Sequence, residues 1–136
     1  MTKQEYIGLF IEASYTGTQS QQDQIYEIAL TLFKNTDETL IKNFRDRAPL
    51  VTQTYDGTIV IEQIFDNLRF AYTIEDDINL SSWFFVSNKN AGNYMECGKF
   101  DENNTNDTDG TIESTVKIII LWLKEQVDNL FVEPNL

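Results

Sequence analysis

Over the first third of the chain, apolar side chains recur at a spacing of three and four. Thr2 and Glu5 form a capping-box pair ahead of Tyr6, Ile7, Phe10 and Ile11, which predicts a short amphipathic helix over residues 3–14. Thr18 and Gln21 repeat that pair ahead of Ile25, Ile28, Ala29, Leu32 and Phe33. A second helix of about four turns is expected there, with Lys34 near its end in favourable register with the helix dipole. Asn35 and Glu38 are placed to cap a third, in which Leu40, Ile41 and Phe44 share a face before Arg45 and Arg47. It must stop before Pro49, because the residue preceding a proline is driven out of the helical region.

From Leu50 the period falls to two. Asp56-Gly57 lies between Leu50–Tyr55 and Thr58–Phe65, a strong hairpin signal because both turn residues tolerate positive φ. Asp66-Asn67 is a weaker form of the same turn, and after it Leu68, Phe70, Tyr72 and Ile74 alternate with Arg69, Ala71, Thr73 and Glu75. Ser81–Ser87 and Tyr94–Phe100 follow, separated by residues 88–93, so an antiparallel meander of about five strands is expected. Alternation sends Trp83 and Phe85 to one face and Phe84 to the other, with either set inward; the favoured reading buries Phe84 beneath a helix on the second face, and the alternative makes it an exposed anchor for a partner. Residues 101–110 carry no apolar side chain and read as an exposed loop. Ile112, Val116, Ile119, Ile120, Leu123, Val127 and Leu130 then mark a long final helix, capped by Asp109 and ended by Pro134. Ile118, Leu121 and Trp122 fall off its main stripe, which predicts either a sandwiched helix or a homodimer interface. The chain thus reads as one α+β domain over residues 1–136: N-terminal helices, an antiparallel β-meander and a long C-terminal helix, with the helices on one face of the sheet.

Composition narrows the function. A hydrophobic fraction of 41% is enough to build a core, so wholesale disorder is excluded. The formal charge is −12 over 136 residues, with no histidine. Direct nucleic-acid binding is disfavoured, since phosphate contacts need a basic patch. Cys97 is the single cysteine, which excludes an intrachain disulfide framework. The longest apolar run, Ile118–Leu123, is far short of the roughly 20 residues that cross a bilayer, and Glu5 and Glu12 interrupt any leader-like stretch. A cytoplasmic location without membrane contact is expected.

Catalytic chemistry finds little footing. The absence of histidine removes the commonest general base and any histidine-containing zinc site. Cys97, in a strand beside Met95, reads as a small buried hydrophobe. Glu62 and Glu96 would form a carboxylate pair only if they faced each other across strands. Asp107-x-Asp109-Gly110-x-Ile112 matches the middle of a calcium-binding loop, but that register puts Thr105 at the first ligand position and Val116 at the twelfth, where a bidentate glutamate is needed. No enzyme activity, cofactor or metal is expected.

The distribution of charge is more informative. Residues 56–77 hold Asp56, Glu62, Asp66, Glu75, Asp76 and Asp77 against Arg69, and residues 101–113 hold Asp101, Glu102, Asp107, Asp109 and Glu113 against no cation, so each window carries −5 of the −12. In an up-and-down meander the turn at Asp56, the loop after Ile74 and the loop starting at Asp101 share one end of the sheet. Asp56, Glu75, Asp76, Asp77, Asp101, Glu102, Asp107 and Asp109 would then crowd one rim, with Lys89 and its neighbouring asparagines at the other. Such a rim suits a cationic partner surface, such as the nucleic-acid channel of a nuclease or other DNA- or RNA-handling protein, where carboxylates can stand in for phosphates. In composition, though in no sequence motif, the chain resembles small acidic inhibitors such as bacterial immunity proteins and phage-encoded anti-defence proteins. That resemblance implies a non-catalytic inhibitor of a basic, nucleic-acid-handling protein. The plainer reading is a solvated acidic edge. Competing functional readings are a chaperone or adaptor that holds a polypeptide and is dimeric through the last helix, and a small-molecule-binding domain.

Overall fold

Both capping boxes form. The Thr2 hydroxyl accepts the Glu5 N–H at 3.1 Å, and the Thr18 hydroxyl accepts that of Gln21 at 3.2 Å, with the Glu5 and Gln21 side chains returning to the cap N–H groups. They open α1 (Lys3–Ala13) and α2 (Gln19–Asn35). The computed structural model describes residues 2–36, 49–65, 68–87, 94–100 and 111–131. Asn35 is the last residue of α2 rather than the cap of a following helix, its amide donating to the Thr31 carbonyl at 2.8 Å, while the Thr36 hydroxyl donates to that of Leu32. The expected third helix, with Leu40, Ile41 and Phe44, lies outside the described residues.

Five strands follow: β1 (Leu50–Gln53), β2 (Ile59–Phe65), β3 (Leu68–Ile74), β4 (Ser82–Ser87) and β5 (Tyr94–Lys99). They pair antiparallel in the order β1-β2-β3-β4-β5, the meander that alternation predicts. The register aligns Ile61, Tyr72 and Trp83 across β2, β3 and β4, so one face carries Ile59, Ile61, Phe70, Tyr72, Ile74 and Phe85 into the core. Against it pack Tyr6, Ile7 and Phe10 of α1 and Ile25, Ile28, Ala29 and Leu32 of α2. The turns Asp66-Asn67 and residues 88–93, Lys89 included, lie outside the described residues, as do residues 101–110.

The final helix, α3, runs Ile112–Phe131. Its cap is Thr111, whose hydroxyl accepts the Ser114 N–H at 3.2 Å, and not Asp109 as the sequence suggested: the hydroxyl stands immediately before the first helical residue. Ile112, Val116, Ile119, Ile120 and Leu123 are buried, while the side chains of Val127 and Leu130, and Pro134 itself, lie outside the described residues. Of the apolar residues off that stripe, Trp122 packs within the molecule. The Trp122 ring stands 5.7 Å from that of Trp83 and 5.6 Å from that of Phe85, so α3 is apolar on two sides because α2 and the sheet both cover it. Leu121 remains exposed.

All described helices lie on this one face of the sheet. Phe84 therefore lies beneath none of the described helices, contrary to the favoured expectation; it is half-buried on the opposite face, with the Arg69 guanidinium 5.2 Å from its ring centroid. Arg69 also pairs with Glu62 on β2. Cys97 is exposed, contrary to expectation, because its partner across the ladder is Phe84 and the pleat turns it away from the helices on an edge strand. Glu62 and Glu96 do not meet: two strands separate them, and they sit on opposite faces. Among the described residues no helix is long and apolar enough to cross a membrane.

Candidate interaction surface

The β1–β2 hairpin closes through Gly57, whose φ of 93° is open to glycine and strained for a side chain. Thr54 N–H donates to the Thr58 carbonyl at 2.8 Å and Gly57 N–H to that of Thr54 at 3.0 Å. The Thr54 hydroxyl donates to the Asp56 carboxylate, and that bond, together with donation from the Thr58 N–H, holds Asp56 below its ordinary carboxylate pKa despite full exposure. Asp56 is thus a fixed anion at the tip of the turn.

Pairing of Ile59 with Ile74 brings the end of β3 alongside this turn. The Thr58 hydroxyl lies 2.8 and 3.0 Å from the two Glu75 carboxylate oxygens, so it orients that group across the strands. Asp76 and Asp77 follow in the open, and Asp77 caps a short 3-10 turn, Ile78–Leu80, by accepting the Asn79 N–H at 3.0 Å.

Three polar side chains at the start of α2 fasten both loops. Gln21 Nε2 donates to the Gly57 carbonyl at 2.8 Å and to the Ile74 carbonyl at 3.0 Å. Gln24 Nε2 donates to the Glu75 carbonyl at 2.7 Å and its Oε1 accepts from Ser81 Oγ at 2.6 Å, while Ser20 Oγ donates to the Asp76 carbonyl. Gln21 and Gln24 are buried, so these amides satisfy loop carbonyls that would otherwise face a helix. The arrangement also brings Asp23 and Glu27 of α2 beside the loop, lining with Ser20, Gln24 and Ile78 a notch of about 200 Å³.

Of the expected rim, Asp56, Glu75, Asp76 and Asp77 stand at one end of the sheet. Asp101, Glu102, Asp107 and Asp109 lie outside the described residues. The flanking anchors are informative: the Phe100 N–H donates to the Ser81 carbonyl at 3.1 Å, so β5 finishes at the acidic end. Glu113, in the first turn of α3, has its carboxyl held below its ordinary value mainly by Lys117, 2.9 Å away, and also by Lys34 at the far end of α2. Gln21 and Lys34 are separated by about 20 Å of helix, so these two anchors stand at opposite ends of α2. Glu62 and Glu113 are each paired with a cation away from the rim. Asp23 and Glu27 lie outside the acidic windows that predict the rim; the run of polar residues Ser20, Gln21 and Gln24 ahead of Ile25 is the signal in the sequence that this end of α2 meets backbone rather than apolar side chains.

Among the described residues no group of three or more His, Cys, Asp or Glu is arranged to hold a metal ion. The surface offers exposed carboxylates on a hydrogen-bonded frame: a fixed anionic relief suited to cationic side chains. No family model, curated protein or solved structure matches the chain.

Proposed function

We propose that the protein is a cytoplasmic, non-catalytic inhibitor that docks its acidic end onto the cationic surface of a nucleic-acid-handling protein, in the manner of an immunity or phage anti-defence protein. One observation supports this reading above the others: Asp56 and Glu75–Asp77, from two separate loops, are held at a single end by Thr58, Gln21 and Gln24 instead of being left on free loops. Like charges brought together in this way repel one another, at a cost a solubility requirement alone would avoid by dispersing them. A preformed anionic surface docks without ordering loops on contact, and its field speeds encounter with a basic target.

The test is affinity capture from the native cell with the wild type and with the triple variant Asp56→Lys, Asp76→Lys, Asp77→Lys. The expected partner is a basic nuclease or nucleic-acid-binding enzyme whose activity falls on addition of the wild type. Its affinity should weaken steeply between about 50 and 200 mM salt and be lost in the variant. A partner bound and blocked equally by both forms would overturn the proposal. Light scattering on the same samples reads out self-association through α3 and its exposed Leu121.

A further inference from the structure

The sheet ends on β1 at one side and on β5 at the other. An open edge is a row of unpaired main-chain groups, and natural proteins guard it with charged side chains, proline or bulges. β5 carries Glu96 and Lys99. β1 has no such guard: it pairs with β2 without a bulge, and Leu50, Val51, Thr52 and Gln53 are uncharged in a chain of net charge −12. All four are exposed, Leu50 at 56% and Val51 at 43%.

The pairing fixes which groups face outward. The Thr54 N–H donates to the Thr58 carbonyl, and the register steps back from there through Gln53–Ile59, Thr52–Val60, Val51–Ile61 and Leu50–Glu62. Because an antiparallel ladder alternates, the main-chain groups of Thr52 and Leu50 turn toward β2, while the N–H and C=O of Val51 and Gln53 turn outward. Those outward groups have no hydrogen-bond partner among the described residues. The edge is complementary to itself. About a two-fold axis at Thr52, Val51 of one copy faces Gln53 of the other and the two exchange both N–H···O bonds, with Thr52 facing Thr52. Moving the axis to Val51 sets Gln53 against Pro49, which has no N–H, and moving it to Gln53 sets Val51 against Tyr55, which lies in the turn.

Charge favours the same arrangement. Asp56 stands beyond the Gln53 end of β1, with Asp76 and Asp77 at that end of the sheet, so antiparallel pairing sends the two acidic ends to opposite ends of the joined sheet. The Tyr55 ring, fully exposed at the hairpin tip, comes alongside the Leu50–Val51 end of the other copy.

We infer that β1 is a docking edge for the β1 of a second copy of this chain, separate from the acidic end, joining two five-stranded sheets into one. The interface is small, so the dimer should assemble at roughly 10–500 µM, read by sedimentation velocity across that range. Raised salt should tighten it by screening the repulsion between two acidic chains, whereas docking of the acidic end on a cationic partner weakens in salt. Val51→Pro removes an outward N–H that the ladder with β2 does not use. It should move self-association to a concentration about tenfold higher or more and leave the circular dichroism of the dilute protein unchanged. The register has its own readout in a Cys97→Ser background. There Thr52→Cys should crosslink two copies on mild oxidation, because facing residues of a non-hydrogen-bonded pair have Cα atoms about 4.5 Å apart. Leu50→Cys should not, since its position faces Thr54 of the other copy. A monomer throughout the concentration range would overturn the inference, as would a dimer that Val51→Pro leaves intact or that salt dissociates. Failure of Thr52→Cys to crosslink ahead of Leu50→Cys would overturn it as well.

Discussion

Tyr6 donates its hydroxyl hydrogen bond to the side-chain oxygen of Gln63 at 3.1 Å, joining α1 to β2 across the centre of the core. Both residues are almost wholly buried. On β3, the Tyr72 hydroxyl is as deeply buried yet has no hydrogen-bond partner among the described residues. These phenols therefore predict opposite outcomes on loss of the hydroxyl. Tyr6→Phe removes the donor to a buried amide oxygen and should cost about 1–3 kcal/mol. Tyr72→Phe removes an unsatisfied polar group within a ring cluster of Phe10, Phe70 and Phe100 and should be neutral or stabilising by up to about 1 kcal/mol. Urea denaturation of the two variants decides it, and equal losses would contradict the asymmetry.

The same pair sets the alkaline limit of the fold. Burial pushes both phenols above the ordinary tyrosine range, and for Tyr6 the nearby Tyr72 adds to the shift. The folded state thus favours the protonated forms: their contribution is fully present below about pH 10 and is lost as pH rises from there through the raised folded values. Base titration should show a late phenolate absorbance step coincident with loss of circular dichroism. Ionisation of every tyrosine with the fold intact would refute it.

Much of this architecture is legible in local pattern. Two-residue alternation, with the turn signals between the segments, is enough to place five strands and to set Trp83 and Phe85 on the face opposite Phe84, because each residue's face follows from its neighbour's. What local pattern does not carry is the identity of the covering layer. Cys97 looks like core until β5 is known to be an edge strand, and Phe84 looks covered until every described helix is found on the other face. The candidate site divides in the same way. Asp56 and Asp76–Asp77 announce themselves as acidic turns, but Gln24 reaches a carbonyl 51 residues away, and Asp23 and Glu27 join the acidic end only because that contact forms.

Thr111, and not Asp109, caps α3, with its hydroxyl on the Ser114 N–H and its carbonyl accepting the Thr115 N–H at 3.0 Å. Thr111→Ala should therefore lower stability by about 1 kcal/mol, as loss of an N-cap usually does. Asp109→Ala should leave thermal stability nearly unchanged. Reversal of that order in calorimetry would restore the aspartate as the cap.

The frame beneath the acidic end makes a final prediction that joins stability to presentation of charge. Gln21 bonds two carbonyls from different loops with one amide nitrogen, while its oxygen completes the capping box at Thr18. Gln21→Leu keeps the volume but leaves the carbonyls of Gly57 and Ile74 facing an apolar group, so stability should fall by about 1–3 kcal/mol. Gln21→Glu keeps the acceptor for the cap, yet it removes the donor and turns an anion toward the same carbonyls, which should be worse. If these amides hold Asp56 and Glu75 in register, amide exchange at Gly57 and Glu75 should quicken in Gln21→Leu more than exchange in β4. Uniform acceleration across the sheet would mean that Gln21 supports the fold as a whole and does not specifically position the acidic loops.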